Sequence, residues 1–434
     1  MAKNVPDTSR LWNMTIALKT RCAAAHSREV SRGLPGGVAL RFSPMRRLAV
    51  WLFASVVPVF AGCASAGSSV NGKASSGPSS IDVPRTVITP DSATSLPEMF
   101  EAAQAKERAG DLEGAAALFD RIAEHEPDGP LAAPALFSAG DAHDRLGHHQ
   151  AAIARYRAVV EKHPGDELAK NAALRSVRLL AYVEDFAWAG RFADRLLERK
   201  AELRPIEEVV AYGGKALALV ADGDDARALS FVERGRDVIE RHQLDAAGRI
   251  PRDLAQLYYA LGEVYRLRGE RVLFVPAPMN LAVTLEQRCQ LVLDAQRAYS
   301  DTWRAYDAHW SSMAGFRVGE LYQRLHEDLM ALDPPKTADN ASRKNLYEAA
   351  MRLRFEVLLE KARGMMEHTV AMAEREGEKS SWVERAREAK ARLELAEQAE
   401  KDAIARLPYT RAELQAALDE IGQKAKAKTP QNKR

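Results

Sequence analysis

LPEMFEAAQAKERAGDLEGAAALFDRIAEHEPDGP (residues 96–130) runs directly into LAAPALFSAGDAHDRLGHHQAAIARYRAVVEKHP (131–164), and the second stretch repeats the first. Ala102, Gly110, Ala115, Phe119 and Pro127 recur 37 residues on as Ala139, Gly147, Ala152, Tyr156 and Pro164. A further shift of 37 finds Ser176, Glu184, Ala189 and Ala193, a degenerate third copy. Each residue type has a physical reason to recur. Small residues let two helices approach closely, glycine relieves the turn between them, and proline cannot continue a helix. Self-similarity at such a period means stacked units, each burying its apolar face against the next.

This spacing resembles the tetratricopeptide repeat. In that family a small residue marks where helix A crosses helix B, a glycine turns the chain, and an alanine then an aromatic pack helix B. The family period is about 34 residues, and the slightly longer unit here is similar to that of periplasmic assembly lipoproteins such as BamD. Tyr212, Ala216, Gly223 and Ala228 fit a fourth unit. Tyr258, Leu261, Gly262, Tyr265 and Gly269 fit a fifth helix A, its helix B displaced by RVLFVPAPMNLA (271–282). Gly315, Val318, Gly319 and Tyr322 mark another helix A. The resemblance is specific over 96–164 and weakens along 165–270.

The expected fold is therefore all-α: a tetratricopeptide-like helical-hairpin superhelix with long C-terminal helices. The array is assigned to 96–270, a degenerate repeat with an aromatic helix to 271–332, and a linker to 333–345. Long helices then fill 346–423, leaving a basic tail at 424–434. Gly377 closes one of these helices. Ser381, with Glu384, reads as the cap of the next, which runs from Trp382 to about Leu407, and Thr410 with Glu413 reads as another capping signal. Whether these helices extend the superhelix or fold back as a bundle is open. The overall layout resembles that of tetratricopeptide lipoproteins in delta-proteobacterial envelope and gliding complexes.

Upstream, MRRLAVWLFASVVPVFAGC (45–63) has a positive start, an uncharged apolar run and a cysteine. The run is shorter than the roughly 20 apolar residues a spanning helix needs. Phe60-Ala61-Gly62-Cys63 resembles a lipobox with phenylalanine in the aliphatic position. The resemblance implies a signal peptide over 45–62 and diacylation of Cys63, and paired acyl chains anchor stably where one would not. An uncleaved anchor and an ordinary secreted protein are the competing readings. Residues 1–44 fit neither role and read as a segment upstream of a true start at Met45, or as an unusually long n-region. Residues 63–95 have the Ser/Gly/Ala/Pro composition of a flexible tether. Ala64, where an aspartate favours inner-membrane retention in such lipoproteins, points to the periplasmic face of the outer membrane.

The whole chain carries a formal net charge of +2. From Cys63 onward it holds 53 basic and 58 acidic residues, a mildly acidic balance that offers nothing to nucleic acid. Cys22 and Cys63 lie in or at the leader, which leaves Cys289 as a small helix-core residue. No phosphate-binding glycine loop, nucleophile elbow or zinc-protease motif occurs, and no cofactor is implied. His143, His148 and His149 cluster near a turn, and with the first helix ending near Gly147 two of the three are expected on a solvated loop rather than at a metal. Asp222-Gly223-Asp224-Asp225 reads as a turn followed by the acids favoured at a helix start.

By the family's geometry the inner groove is lined by Phe100, Gln104 and Glu107, then Phe137, Asp141 and Asp144, then Leu174 and Arg178. The lysines and asparagines with which some members grip a terminal carboxylate are missing there. Tyr299, Trp303, Tyr306 and Trp310 follow 4-3-4 spacing and so share one helical face, either packed on a neighbour or, for Trp303, Tyr306 and Trp310, forming a partner-binding ridge. The expected role is a lipid-anchored scaffold, not an enzyme, binding other envelope proteins in assembly, secretion or a motility-type machine. The alternatives are a cell-wall-directed enzyme with an unrecognised site, and a cytoplasmic repeat protein translated from Met1.

Overall fold

Ser95 opens the array with a capping box: its hydroxyl accepts from the Glu98 amide while the Glu98 carboxylate accepts from the Ser95 amide. The computed structural model describes residues 95–415, apart from 246–249, 276–277, 279–280 and 335–337. The helices are α1 (Leu96–Arg108), α2 (Leu112–His125), α3 (Ala132–Arg145), α4 (His149–Lys162), α5 (Leu168–Tyr182) and α6 (Phe186–Glu198). Then follow α7 (Pro205–Ala221), α8 (Asp225–His242), α9 (Arg252–Glu270), α10 (Leu281–Trp303), α11 (Ala308–Met330), α12 (Ala341–Glu376) and α13 (Ser381–Ala405). No strand occurs among the described residues.

Turns inside the hairpins follow from backbone chemistry. Gly110, Gly147 and Gly223 take the left-handed conformation at φ +85°, +76° and +79°. There a side chain would cost about 1–2 kcal/mol. The degenerate third unit puts Glu184 at that place, and it adopts φ +60° nonetheless. Asp111, Asp185 and Asp224 each accept an amide of the following helix's first turn, so α2, α6 and α8 all start on an aspartate cap.

Each helix packs on its neighbours in sequence, and the alternate helices α5, α7, α9, α11 and α13 also pack in series. Ala103, Ala115, Phe119, Ile122, Ala135 and Ala139 bury the first hairpin against α3. The main core then runs continuously from Ala133 to Leu393. The fit between helices A and B is tight where glycine faces an aromatic. A Cβ on Gly140 would stand 2.7 Å from the Tyr156 ring, and one on Gly262 2.5 Å from the Tyr299 ring.

The C-terminal helices settle the open alternative. α12 packs along α11 as its helix B, and α13 packs on both, so the array continues. It also closes on itself: the Trp382 indole of α13 donates to the carbonyl of Tyr182, the last residue of α5, at 3.4 Å. The displaced helix B of the fifth unit is α10, which pairs with α9 after the 271–280 connection.

Three local expectations need correction. Ala102 is exposed, and Ala103 beside it makes the buried crossing, because the first A helix sits one residue out of register with the second. Ser380, not Ser381, occupies the cap of α13, and its side chain makes no capping bond. The aromatic series does not share one helix, since α10 stops at Trp303 and α11 starts at Ala308. Tyr306 lies between them at φ +54°, and Tyr299 and Trp310, on different helices, each pack against Tyr259. Cys63, the leader, the tether up to residue 94 and the tail from 416 lie outside the described residues.

Candidate functional site

The inner face of the array carries a cavity of about 460 Å³. Phe137 of α3 contributes to its wall together with Leu174, Arg175 and Arg178 of α5. The starts of the next three A helices complete it: Arg204 and Glu207 at α7, Arg252, Asp253 and Gln256 at α9, and Trp310 at α11. Stacking alternate helices is what brings these segments together, for 173 residues separate Phe137 from Trp310 in sequence.

Ion pairs set the guanidiniums in place. Arg175 pairs with Asp141 and Arg178 with Asp144, each reaching back to α3. Arg175 also lies against the Phe137 ring, 5.2 Å from its centroid. Arg178 is buried yet stays firmly charged: burial opposes its charge, and Asp144 with the surrounding acids outweighs it. Glu207 is buried too, which pushes its carboxyl pKa up, but the Arg204 amide and guanidinium and nearby Lys170 hold it below the ordinary range.

Of the groove residues expected from sequence, Phe137, Leu174 and Arg178 line this cavity, with Asp141 and Asp144 behind them as partners of the arginines. Phe100, Gln104 and Glu107 do not join it. Phe100 packs edge-on against Phe119, Glu107 pairs with Arg145 at 2.8 Å, and Gln104 is exposed on α1. Trp310 does join, as a fully buried ring against Tyr182 and Tyr259. Trp303 is half-buried, its indole donating to the Ser311 carbonyl at 2.8 Å, and Tyr306 is 74% exposed. Tyr299 is fully buried.

Sequence reasoning missed Arg175, Arg204, Arg252 and Gln256. A helical period over Asn171, Leu174 and Arg178 was present for α5. Arg204 and Arg252 carried a subtler signal, a cation at a helix N-terminus, where the macrodipole disfavours it. The histidines part in one place only: His143 turns toward Asp120 with the His148 ring 5.8 Å from its own, while His149 packs on Tyr182 and His309. Among the described residues no three metal-ligating side chains converge, and no helix is long and apolar enough to cross a membrane.

Alternating helical hairpins stacked around an inner face make this an all-α, tetratricopeptide-like fold. Residues 134–166, essentially the second hairpin, match the tetratricopeptide repeat family model. No curated protein matches the sequence. Among solved structures the chain is similar to a tetratricopeptide repeat protein from Parabacteroides merdae, at 14% identity and TM-score 0.36, covering 69% of this chain and 98% of that one. It is also similar to nearly identical TPR-like repeats of a putative kinesin light chain from Podosopora anserina (16%, TM-score 0.30, covering 48% and 99%). A third is the human IFIT1 dimer with m7Gppp-AAAA (12%, TM-score 0.35, covering 77% and 72%).

Proposed function

We propose that this chain is a protein-binding scaffold that receives a partner on the inner face of its repeat array while tethered to a membrane through Cys63. The observation that carries the reading is the convergence of five A helices on one cavity that mixes apolar wall with guanidinium donors. Stacked repeats use such concave surfaces to hold extended partners, and the tetratricopeptide repeat is a protein-interaction module. The lipobox-like Phe60-Ala61-Gly62-Cys63 and the Ser/Gly-rich segment after it support a lipid anchor on a flexible leash. Ala64 supports the periplasmic face of the outer membrane. The partners would then be other envelope proteins in an assembly, secretion or motility-type complex.

Two measurements test this. A photo-crosslinking residue at Leu174 should capture a discrete envelope protein, and the same residue at Glu161 on α4, away from the cavity, should not. Equal capture from both places would defeat the inner-face reading. Palmitate should label the chain and not its Cys63→Ala variant, and labelled protein should sediment with outer membrane; label that survives the substitution would remove the anchor.

A further inference from the structure

We infer that the cavity grips a carboxylate side chain of an extended acidic segment of the partner polypeptide, with Arg252, Arg175 and Arg178 as the gripping residues. This deepens the scaffold reading and rests on it.

The first reason is a surplus of donors. Arg178 Nε, Gln256 Nε2 and Trp310 Nε1 are buried without hydrogen-bond partners, and all three residues line the cavity. No buried, unpartnered acceptor belongs to a lining residue. Leaving such donors unmade is costly, and an acceptor-rich ligand relieves that cost. The second reason is charge placement. Arg252, the first residue of α9, makes no ion pair among the described residues and is exposed. It adds its charge to the partial positive end of its own helix; Arg204 stands likewise at the start of α7 but is already paired with Glu207 at 2.7 Å, which leaves Arg252 as the free cation among the arginines that line the cavity. An unpaired cation in that position weakens its helix unless an anion arrives.

The size of the cavity suits a side chain and its neighbours rather than a folded surface. Its apolar part, Phe137, Leu174, Ile206 and Val210, suits an aliphatic residue next to the acid. The chain's own loose ends are poor candidates. Residues 424–434 hold five Lys/Arg and no acid, and residues 64–94 hold two of each. Two carboxylates oppose in the lining: Glu207 is held by Arg204 and Lys170, whereas Asp253 is exposed and makes no ion pair among the described residues. Its like charge limits affinity and selects where the acid sits.

The test uses the full chain and a fluorescent peptide of alternating glutamate and leucine, against its glutamine–leucine counterpart. The glutamate peptide should bind about tenfold more tightly or better, the ratio expected of one charge-assisted contact. Arg252→Gln should weaken it by a similar factor. Because that side chain is exposed and unpaired, its loss does not threaten the fold, which circular dichroism verifies. Asp253→Asn should tighten binding, and inorganic phosphate at matched ionic strength should not displace the peptide. Equal affinity for the two peptides, an unaffected Arg252→Gln variant, or full displacement by phosphate would each overturn the assignment. If crosslinking at Leu174 still captures a partner in that event, the scaffold reading survives and the acidic one alone falls. If neither peptide binds and no partner is captured, both fall.

Discussion

The Tyr182 hydroxyl, at the end of α5, donates to the Asp307 carboxylate that caps α11, at 3.1 Å and across 125 residues of chain. The same carboxylate oxygen accepts from the Trp310 amide at 2.9 Å. One acid therefore starts a helix and ties it to a hairpin three units earlier. Around this bond His309 stacks on the Tyr182 ring at 4.0 Å and Trp382 reaches the Tyr182 carbonyl.

Tyr182→Phe keeps the ring and deletes the bond. A hydrogen bond to a charged acceptor contributes about 1.5–3 kcal/mol, and Asp307 keeps its amide partner, so the low end is expected. Amide exchange should accelerate in the first turn of α11 and around Trp382, far in sequence from the substitution. Exchange confined to α5 would show that the closure does not depend on this hydroxyl.

Glu263 of α9 is buried and accepts from Tyr299 at 2.7 Å while pairing with Arg266 at 2.7 Å and Arg317 at 3.0 Å. Burial pushes its carboxyl pKa up, but the two guanidiniums and the Tyr299 hydroxyl reverse that and hold it at about 2, below the ordinary 4.5. Its contribution to stability is complete above pH 4.5 and drains away as pH falls toward about 2. Glu263→Gln takes one carboxylate partner from each of two cations, which keep Glu270 and Glu320 at 2.7 Å, and should cost about 1–3 kcal/mol at neutral pH. Urea midpoints measured from neutral to acid pH should converge for parent and variant; parallel curves would contradict the assignment.

Glu184 occupies the left-handed place that glycine fills in three other hairpins, and it pairs with Arg385 at 2.6 Å and Arg317 at 3.8 Å. Glycine there removes about 1 kcal/mol of backbone strain and the ion pairs together, effects of opposite sign and similar size. Glu184→Gly should thus sit within about 1 kcal/mol of the parent, while Glu184→Ala loses the pairs, keeps the strain and falls about 1 kcal/mol below the glycine variant. Equal thermal midpoints for the two variants would mean that the turn carries no strain.

His149 lies against Tyr182 and His309, its pKa pushed below the ordinary 6.5 first by burial and then by the facing His309, with Arg178 adding and Asp144 and Glu378 opposing. An unfolded histidine takes its proton first as pH falls, so stability should decline as pH drops through the ordinary 6.5. His149→Phe preserves an aromatic ring and should flatten that slope in thermal melts. A slope untouched by the substitution would place the titration elsewhere.

How far the sequence could be read depended on distance along the chain. The hairpins were legible because their determinants are local: Gly110 and Gly147 at the turns, Ala115 with Phe119 and Ala152 with Tyr156 packing one helix on the next. Phe137, Leu174 and Arg178 could be placed on the inner face because the resemblance to the tetratricopeptide repeat implies which face of each A helix turns inward. The aromatic series was misread because 4-3-4 spacing describes a face only while the helix continues, and Asp307 stops α10 from continuing by capping α11.

By itself, then, the sequence determined the repeat, its helical class and the order of its hairpins, since turns, caps and small-residue crossings act within about one unit of chain. Tertiary structure alone decided that the C-terminal helices continue the array and that Trp382 meets Tyr182. It alone gathered Arg175, Arg204, Arg252 and Gln256 at one cavity. Those contacts depend on the small rotation each hairpin makes on the last, which accumulates over many units and leaves no mark in any single repeat.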